Sequence, residues 1–456
     1  MVVRRKPNSR LDAMQIGGYD LSPGLLITYE PEHENVAIAQ LSNLAGVNTV
    51  ANAAEFAAAA DMDQLQGAEV TFFSNLGVAV ASVDPDQQAR ISAMQADQSV
   101  PVRTVEPEPI FFAFPDDLPS DFGAYLRGYK DAVDHLYSRA FDASPALAAT
   151  NIRGPGGSFA DSDQVSWGLQ AARVDTSTLS GRGVKVAILD TGMDLDHPDF
   201  KGRAITSASF IPGQTAQDDN GHGTHCAGVA CGPRTPTRGR RYGIAYEAEL
   251  FIGKVLTNQG AALGRSTLAG IEWAVRNGCH IISMSLGGLV TPGQSFLAAF
   301  EQTALAATQQ GALIIAAAGN DSRRSQGILK PVSSPANCPS IMAVAALDRN
   351  LRVADFSNAA INPDAAVDIS APGVEIYSSA PEPAAPIQPP NFRQWAAQYD
   401  FLSGTSMATP CVAGIAALLK EANPNIAAGA LWRTLISRAS QLPYPASDVG
   451  AGLIQV

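Results

Sequence analysis

Apolar runs alternate with amphipathic segments over the second part of the chain. Four runs are almost continuously apolar, at 184–190, 248–256, 280–286 and 312–319. Between them, apolar residues recur at helical spacing, as over 266–278 and 295–311. Buried strands separated by helices are typical of a parallel sheet covered on both faces. The pattern therefore predicts an α/β fold, in which functional residues lie at the carboxyl ends of strands.

The first part of the chain has shorter elements. The pattern predicts a strand, a helix, two strands around a turn, a helix that opens with Asp-Pro, and a final strand, at 24–31, 35–46, 68–83, 84–94 and 102–112. This β-α-β-β-α-β order is typical of a small ferredoxin-like α+β unit, here covering 20–113. Residues 1–19 form a tail, and 114–165 form a linker with a predicted helix at 121–141.

Charge is distributed unevenly between these two parts. The net charge is −12, and residues 1–150 carry 20 acidic and 9 basic side chains, whereas 151–456 carry 23 and 22. A negative balance argues against nucleic acid and anionic membrane surfaces as partners. The apolar runs are also far too short to span a bilayer. We therefore expect neither nucleic acid nor membrane as a partner.

Cysteine content and the N-terminus bear on the cellular compartment. The five cysteines have irregular spacing and include no CxxC pair, which argues against a disulfide framework or a zinc site. The first residues, MVVRRKPNSRLDAM, are basic but are not followed by the apolar core of a secretory signal. This favours the cytoplasm, with export by a non-classical route as the alternative.

Three residues have the chemistry needed for nucleophilic catalysis. Asp190 ends a predicted strand, His222 lies between glycines at the start of a predicted helix, and Ser406 precedes a long apolar helix. A serine becomes nucleophilic when a histidine takes its proton and a carboxylate orients that histidine. Each residue alone also fits a structural role, as a turn residue, a core histidine or a helix cap. His222 and His225 have metal-ligand spacing, but no adjacent glutamate accompanies them, so we expect no metal there.

Five motifs, in order along the chain, carry a family resemblance. They are LDTGMDLDHPDF, GHGTHCAG, MSLGG, AAAGN and SGTSMATPCVAGIAALL. Over about 166–456 the chain resembles the subtilisin-like serine proteases, which have the chain order Asp, His, Ser. Cys226, directly after GTH, places the resemblance near the thiol-bearing proteinase K branch. The resemblance implies a seven-stranded parallel sheet flanked by helices and hydrolysis of peptide bonds through an acyl-enzyme, with no cofactor required.

The resemblance also implies roles for individual residues. Ser406 is the nucleophile, His222 the general base and Asp190 the residue that orients His222. Asn320, together with the backbone N–H of Ser406, supplies the oxyanion hole. Substrate is expected to bind as an extended strand between two edges. These edges are formed by Ser285, Leu286 and Gly287 and by Gly260, Ala261 and Ala262.

The same comparison locates two side-chain pockets. The pocket for the residue before the scissile bond is expected to include Ala317, Gly319 and Ser333, with Asp321 near its rim. These residues predict a preference for medium or large apolar side chains, and Asp321 would tolerate a basic one. Gly264 stands where the family often has a large side chain, which predicts an open distal pocket.

Three segments depart from the family pattern. Cys411 replaces a histidine at an expected packing position. The loop 231–243 is rich in arginine where the family has an asparagine-rich calcium loop, although Asp199 matches a calcium carboxylate. Because cations do not bind calcium, we expect the usual structural calcium site to be altered. A proline-rich insertion, 381–398, is either a rim that restricts substrates or a solvated loop.

The N-terminal unit resembles, by pattern and position, the family's inhibitory propeptide. Such a unit packs on the protease, assists its folding and leaves its tail in the substrate cleft. The resemblance therefore implies a monomeric, self-inhibited zymogen that cuts itself between 113 and 165 and acts on peptides or proteins. Two other functions stay open, a catalytically silent peptide-binding module and a processing enzyme with few substrates.

Overall fold

The computed structural model describes residues 15–16, 19–53, 67–97, 99–113, 158–382 and 398–456. The predicted helix at 121–141 and most of the insertion at 381–398 lie outside the described residues. Within the described part of the chain, no helix is both long and apolar enough to cross a membrane.

The N-terminal unit is an α+β domain. Its strands are β1 (Gln15–Ile16), β2 (Tyr19–Asp20), β3 (Leu25–Tyr29), β4 (Val50–Asn52), β5 (Val70–Phe73), β6 (Val78–Ala81) and β7 (Val102–Pro107). Its helices are α1 (Glu34–Gln40), which continues as a π-helical turn at Leu41–Ala45, and α2 (Pro85–Met94). The main sheet has the order β4-β5-β6-β3-β7. Without the short edge strand β4, the strands follow the predicted ferredoxin-like arrangement.

Helix α2 shows why the local sequence forms this element. The N–H of Gln87 donates to Asp84 Oδ1 at 2.8 Å, and the N–H of Asp84 donates to Gln87 Oε1 at 3.2 Å. Together with Pro85 at the first helical position, this capping box satisfies the free N–H groups of the first turn. Helix α2 therefore begins where the Asp-Pro pair predicts.

The last predicted strand of this unit, 102–112, is in fact two strands. β7 pairs with β3, whereas β8 (Ile110–Ala113) leaves that sheet and pairs with strands of the large domain. Pro109, between them, has no N–H with which to extend the β7 ladder. The prediction of one continuous strand is wrong because an apolar pattern does not reveal which partner each part of a strand pairs with.

The large domain is built on a parallel sheet. Its strands are β9 (Lys185–Asp190), β10 (Ile205–Ser209), β11 (Glu249–Lys254), β12 (Ala261–Leu263), β13 (Ile281–Met284), β14 (Leu286–Gly287), β15 (Leu313–Ala317), β16 (Met342–Leu347), β17 (Ile369–Pro372), β18 (Ile376–Ser379) and β19 (Tyr399–Leu402). Seven of them form the main sheet, in the order β10-β11-β9-β13-β15-β16-β17, and every neighbouring pair is parallel.

Helices cover both faces of this sheet. They are α3 (Trp167–Ala171), α4 (His222–Cys231), α5 (Gly264–Arg276), α6 (Ala298–Gln309), α7 (Thr405–Ala422), α8 (Ala428–Arg438) and α9 (Ala446–Val449), with short 3-10 turns at Pro198–Phe200 and Arg324–Gln326. Along β9, Val186 and Ile188 join one apolar cluster with α4, α7 and α8, whereas Ala187 and Leu189 join another with α5 and α6. Strands buried on both faces read as continuous apolar runs. The predicted α/β fold is therefore confirmed.

The N-terminal unit packs against α5 and α6. Its residues Leu26, Phe73, Val78 and Val80 belong to the same apolar cluster as those two helices. A separate cluster around Ile27 forms the unit's own core. The unit thus buries one face within itself and a second face against the large domain.

Candidate active site

Three predicted site residues meet at the carboxyl edge of the parallel sheet. Asp190 is the last residue of β9, Ser285 directly follows β13, and Asn320 lies three residues beyond β15. These strands are neighbours in the sheet, so their carboxyl ends lie side by side. This is the edge where parallel sheets of α/β proteins form their sites.

The carboxylate of Asp190 is bonded to the imidazole of His222. Asp190 is fully buried, and its Oδ1 lies 2.8 Å from His222 Nδ1. The same oxygen accepts the N–H of Thr191 at 2.7 Å. Burial acts to lower the pKa of His222, but the charge and hydrogen bond of Asp190, together with the neighbouring Cys226, raise the pKa well above its usual value of 6.5. Asp190 therefore favours a proton on His222.

His222 is the first residue of α4. Gly221 before it has φ 101°, a left-handed conformation that glycine adopts without strain. The helix is fixed from its other side, where His225 Nε2 lies 2.9 Å from the carbonyl oxygen of Ile376 and Ser378 Oγ donates to the carbonyl oxygen of His225 at 2.9 Å. His225 is therefore a buried structural histidine, whereas His222 points at Asp190.

Ser406 is the second residue of α7 and is fully buried. Its Oγ lies 3.5 Å from the carbonyl oxygen of Ser285, and its own carbonyl oxygen accepts the hydroxyl of Ser285 at 2.7 Å. His222 Nε2 makes no hydrogen bond to the described residues. The hydroxyl of Ser406 and the imidazole of His222 are thus not hydrogen-bonded to each other in this structure. Such bonds are often long without substrate and tighten in the reacting complex.

Cys226 lies between the histidine and the serine. Its thiol donates to the carbonyl oxygen of Ser406 at 3.5 Å, and its Sγ lies 3.9 Å from His222 Nδ1. Burial raises the pKa of Cys226, so the group stays a neutral thiol. Cys226 therefore contacts both the imidazole of His222 on α4 and the backbone of Ser406 on α7.

Two N–H donors converge beside Ser406. Asn320 Oδ1 accepts the N–H and hydroxyl of Thr405 at 2.9 and 2.8 Å, which leaves the Nδ2 amide for another acceptor. A Cβ added to Gly404 would lie 3.0 Å from Asn320 Nδ2 and 3.5 Å from the backbone N of Ser406. The space left open by this glycine is therefore bordered by both predicted oxyanion donors.

An extended segment of the chain itself lies between the two predicted substrate edges. β8 is the middle strand of a three-stranded antiparallel sheet with the order β12-β8-β14. Phe112 stands opposite Ala261 on one side and Gly287 on the other, and the N–H of Ala113 donates to the carbonyl oxygen of Gly260 at 2.8 Å. Ala262 and Leu286 pair with the same strand. The predicted edges thus bind an extended backbone on both sides.

The segment before Phe112 fills the distal pocket. Phe111 is fully buried, and its ring centroid lies 5.1 Å from that of Phe300 in an edge-to-face arrangement. A Cβ on Gly264 would lie 3.0 Å from Pro109 Cδ. The space next to Gly264 is therefore taken up by Pro109, directly before β8.

The predicted pocket residues Gly319 and Ser333 are held together by a residue that the sequence did not single out. A Cβ on Gly319 would meet Ser333 Oγ and Asn358 Nδ2. Asn358, which is almost fully buried, donates to Ser333 Oγ at 3.3 Å and to Asp321 Oδ2 at 3.1 Å. Ala317 ends β15 on the same side. No motif points to Asn358, because its role depends on distant loops.

The residues around Asp199 do not fit a calcium ion. Asp199 Oδ1 accepts the N–H of Thr237 at 2.6 Å and the hydroxyl of Tyr399 at 2.9 Å, and Oδ2 accepts the hydroxyl of Tyr242 at 2.6 Å. Calcium needs six to eight oxygen ligands, mostly carboxylates and carbonyls. Here phenol and amide donors already bind both carboxylate oxygens.

Two glutamates at the end of the N-terminal sheet bind the starts of α5 and α6. Glu106 accepts the N–H groups of Ala298 and Ala299 at 2.9 and 3.1 Å. Glu108, almost fully buried, accepts the N–H of Arg265 at 2.8 Å and also forms an ion pair with its guanidinium. Acidic groups are favoured at helix N-termini, where free N–H groups and the helix dipole are positive. The sequence pattern did not predict this interface.

These features define the class of protein. A buried Asp–His pair and a serine at a helix start, at the carboxyl edge of a parallel sheet, are the residue set of a serine hydrolase. The model of the subtilase family matches residues 181–452. The chain therefore belongs to the subtilase family.

Individual relatives agree with this assignment. Subtilisin Savinase of Lederbergia lenta is 41% identical over 265 residues, which cover 57% of this chain and 86% of the relative. Subtilisin DY of Bacillus licheniformis is 36% identical over 289 residues, 63% of this chain and 94% of the relative. M-protease of Shouchella clausii (strain KSM-K16) is 41% identical over 265 residues, but the matched part spans only 61% of its length.

Proposed function

We propose that this chain is a serine endopeptidase made as a self-inhibited zymogen. The observation that carries the proposal is the 2.8 Å contact between Asp190 Oδ1 and His222 Nδ1, together with the extended strand β8 that lies between the two predicted substrate edges. The similarity to subtilisins supports the same activity. A peptide-binding module without catalysis would not require a buried carboxylate to raise the pKa of a histidine at this place.

The residues would act in a defined order. Ser406 Oγ attacks the carbonyl carbon of the scissile bond, and His222 Nε2 takes the hydroxyl proton. Asp190 stabilises the imidazolium that forms, and Asn320 Nδ2 and the Ser406 N–H bind the oxyanion. His222 then gives its proton to the leaving amine, and water hydrolyses the acyl-enzyme through the same steps. No cofactor takes part.

The N-terminal unit would inhibit the enzyme by occupying its cleft. β8 pairs with both substrate edges, and Ser406 is fully buried while β8 is in place. Glu106 and Glu108 fix the unit on the starts of α5 and α6. Cleavage between residue 113 and residue 165 would separate the unit from the protease; the region after Ala113 lies outside the described residues until Ser158.

The cleft also indicates a substrate preference. The Phe111 side chain packs edge to face against Phe300, and Gly264 contributes no side chain where Pro109 packs nearby. We therefore expect peptides with an aromatic residue at this distal position to be cut faster than those with alanine. Phe300→Ala should reduce this preference because it removes the edge-to-face contact.

The decisive experiment compares the full chain with its Ser406→Ala variant. Both are followed by intact mass and by casein hydrolysis. We expect the wild type to cut itself between 113 and 165 and then digest casein, while the variant stays whole and inert. If the wild type neither changes mass nor digests casein, the proposal is wrong and the cleft serves binding alone.

A further inference from the structure

A buried carboxylate outside the proposed triad connects the end of β9, which carries Asp190, with the start of α4, which carries His222. Asp218 precedes α4 and is 2% exposed. Its Oδ2 accepts the N–H and hydroxyl of Thr224 at 2.8 and 2.6 Å, and its Oδ1 accepts the N–H of Gly221 at 2.8 Å. Asp218 therefore satisfies the free donors at the start of the helix that carries His222.

The same carboxylate reaches the end of β9 through Thr191. The hydroxyl of Thr191 donates to Asp218 Oδ1 at 2.9 Å and accepts the N–H of Gly223 at 2.9 Å. The backbone N–H of Thr191 donates to Asp190 Oδ1 at 2.7 Å. One residue thus contacts the Asp190 carboxylate, the start of α4 and Asp218.

A buried cation balances this group. Lys254 is fully buried and stands opposite Asp190 in the pairing of β11 with β9, and its Nζ donates to the carbonyl oxygen of Thr191. Burial lowers the pKa of Lys254 to about 8, against the opposing charges of Asp218, Asp219 and Asp190. The ammonium of Lys254 is thus near enough to these carboxylates for their charges to oppose the effect of burial on its pKa.

We infer that Thr191, whose hydroxyl is held by Asp218 with Lys254 as the balancing cation, is a positioning residue that holds the Asp190 carboxylate and the His222 imidazole in their reactive orientation. This inference rests on the proposed protease function. The single Asp190–His222 hydrogen bond sets a distance between β9 and α4, but it does not set the angle of the imidazole toward Ser406. The Thr191 hydroxyl, through its contacts with Asp218 and Gly223, supplies the further contacts that set this angle. The side chains of Asp218, Thr191 and Lys254 need not touch substrate for this role.

The test removes the Thr191 hydroxyl in the full chain. Thr191→Val keeps the size and branching of the side chain, and Thr191→Ser restores the hydroxyl. Thr434→Val is the matched control, since its hydroxyl donates only within α8, to the carbonyl oxygen of Ala430 at 2.9 Å. Active sites in each processed enzyme are counted with a serine-directed phosphonate, so that kcat refers to folded enzyme only. The substrate is a chromogenic tetrapeptide ending in phenylalanine.

We expect Thr191→Val to lower kcat per titrated site about 10- to 100-fold, because small misplacements of catalytic groups cost about that much. KM should change less than about twofold, because the variant removes no contact that binds the substrate equally in the ground state and the transition state. Thr191→Ser and Thr434→Val should stay within about threefold of the wild type. A purely structural role would change the number of titratable sites but not kcat per site.

The inference is overturned if Thr191→Val has a normal kcat per site. It is also overturned if Thr191→Ser loses as much kcat per site as Thr191→Val does. If Thr191→Val yields no folded enzyme, Thr191→Ala takes its place, because it removes the hydroxyl without adding an apolar methyl there. Failure of both to fold would show a structural role and also overturn the inference. An inert wild type overturns the protease proposal itself, which distinguishes the two failures.

Discussion

At the scale of single residues, the imidazole of His222 is subject to two opposing effects. Burial disfavours its protonated form, whereas the carboxylate of Asp190, 2.8 Å away, favours it, and the pKa is raised above 6.5. A general base acts only in its neutral form. Catalysis should therefore be full above the raised pKa of His222 and lost as the pH falls through it.

Asp190→Asn tests this electrostatic effect. Without the carboxylate, the pKa of His222 falls, so we expect the acid limb of the kcat/KM profile, which should lie above pH 6.5 in the wild type, to move to lower pH. The rate itself should fall by about 10⁴-fold because the imidazolium loses its partner. Asp196→Asn, an exposed carboxylate in the next loop, is the control. An acid limb that does not move in Asp190→Asn would contradict the assignment.

Gly404 offers a second test at this scale. Its missing Cβ leaves the space between Asn320 Nδ2 and the Ser406 N–H, where the oxyanion is proposed to bind. Gly404→Ala should lower kcat by about 10²-fold, comparable to the loss of one oxyanion donor. Gly429→Ala, where a Cβ meets nothing closer than 3.8 Å, should leave kcat unchanged. Equal activity of both variants would place the oxyanion elsewhere.

At the scale of elements, an aromatic group joins the β18–β19 hairpin to the body of the domain. Tyr399 stacks on Tyr377 at 5.7 Å between ring centroids, and Tyr242 contacts both rings edge to face. The hydroxyls of Tyr242 and Tyr399 donate to Asp199. Because β18 also fixes α4 through Ser378, these contacts support the helix that carries His222. These tyrosine hydroxyls bind Asp199, the carboxylate that matches a calcium ligand of the family.

Tyr399→Phe and Tyr377→Phe form a matched pair for this element. The first removes a hydroxyl bonded to Asp199, and the second removes a neighbouring hydroxyl that is not bonded to it. We expect Tyr399→Phe to lower the free energy of unfolding by about 1–3 kcal/mol and Tyr377→Phe by less, since only the first leaves a carboxylate short of a donor. Denaturant unfolding of the processed enzyme measures both.

The hydrogen bonds to Asp199 also predict how the melting temperature responds to a chelator. Because both oxygens of Asp199 are bound by protein donors, EDTA should not lower the melting temperature through this position. A fall in melting temperature on adding EDTA that is abolished in Asp199→Asn would contradict this and show that calcium binds at Asp199.

Residues within local motifs can be predicted from the sequence more readily than residues whose partners are distant in the chain. Asp190, His222 and Asn320 are predicted as site residues because each lies within a short motif at the end of a predicted strand or the start of a helix, whereas the substrate edge at 260–262 is predicted from the family resemblance alone. Asn358 and Glu106 could not be predicted. Glu106 binds a helix 192 residues further along the chain, and nothing in its own segment indicates that partner.

At the scale of the whole molecule, one strand connects two domains with different tasks. β7 completes the N-terminal sheet, and β8, which begins three residues further on, lies in the cleft of the large domain. Glu106 and Glu108 are two residues apart, as a strand requires if both side chains are to face the same way. Each binds a different helix start, so both helices fix the direction in which the chain enters the cleft.

Glu108→Gln tests this connection in the full chain. The variant leaves the guanidinium of Arg265 without its carboxylate in a buried place, so the N-terminal unit should be released about 10- to 100-fold faster after cleavage. The measurement is the lag before casein hydrolysis begins. Glu32→Gln, on an exposed part of the unit, should keep the wild-type lag. An unchanged lag in Glu108→Gln would show that the ion pair does not retain the unit.

Under the proposed zymogen function, the position of β8 between the two substrate edges would make inhibition depend on dilution. While the chain is intact, the strand and the cleft are held at a fixed effective concentration, so the inhibited fraction does not change with the amount of protein. Once the connection is cut, the same contacts obey mass action, and the free fraction rises as the solution is diluted. Under this proposal, a single backbone cleavage would convert inhibition that is independent of concentration into inhibition that is lost when the enzyme is diluted.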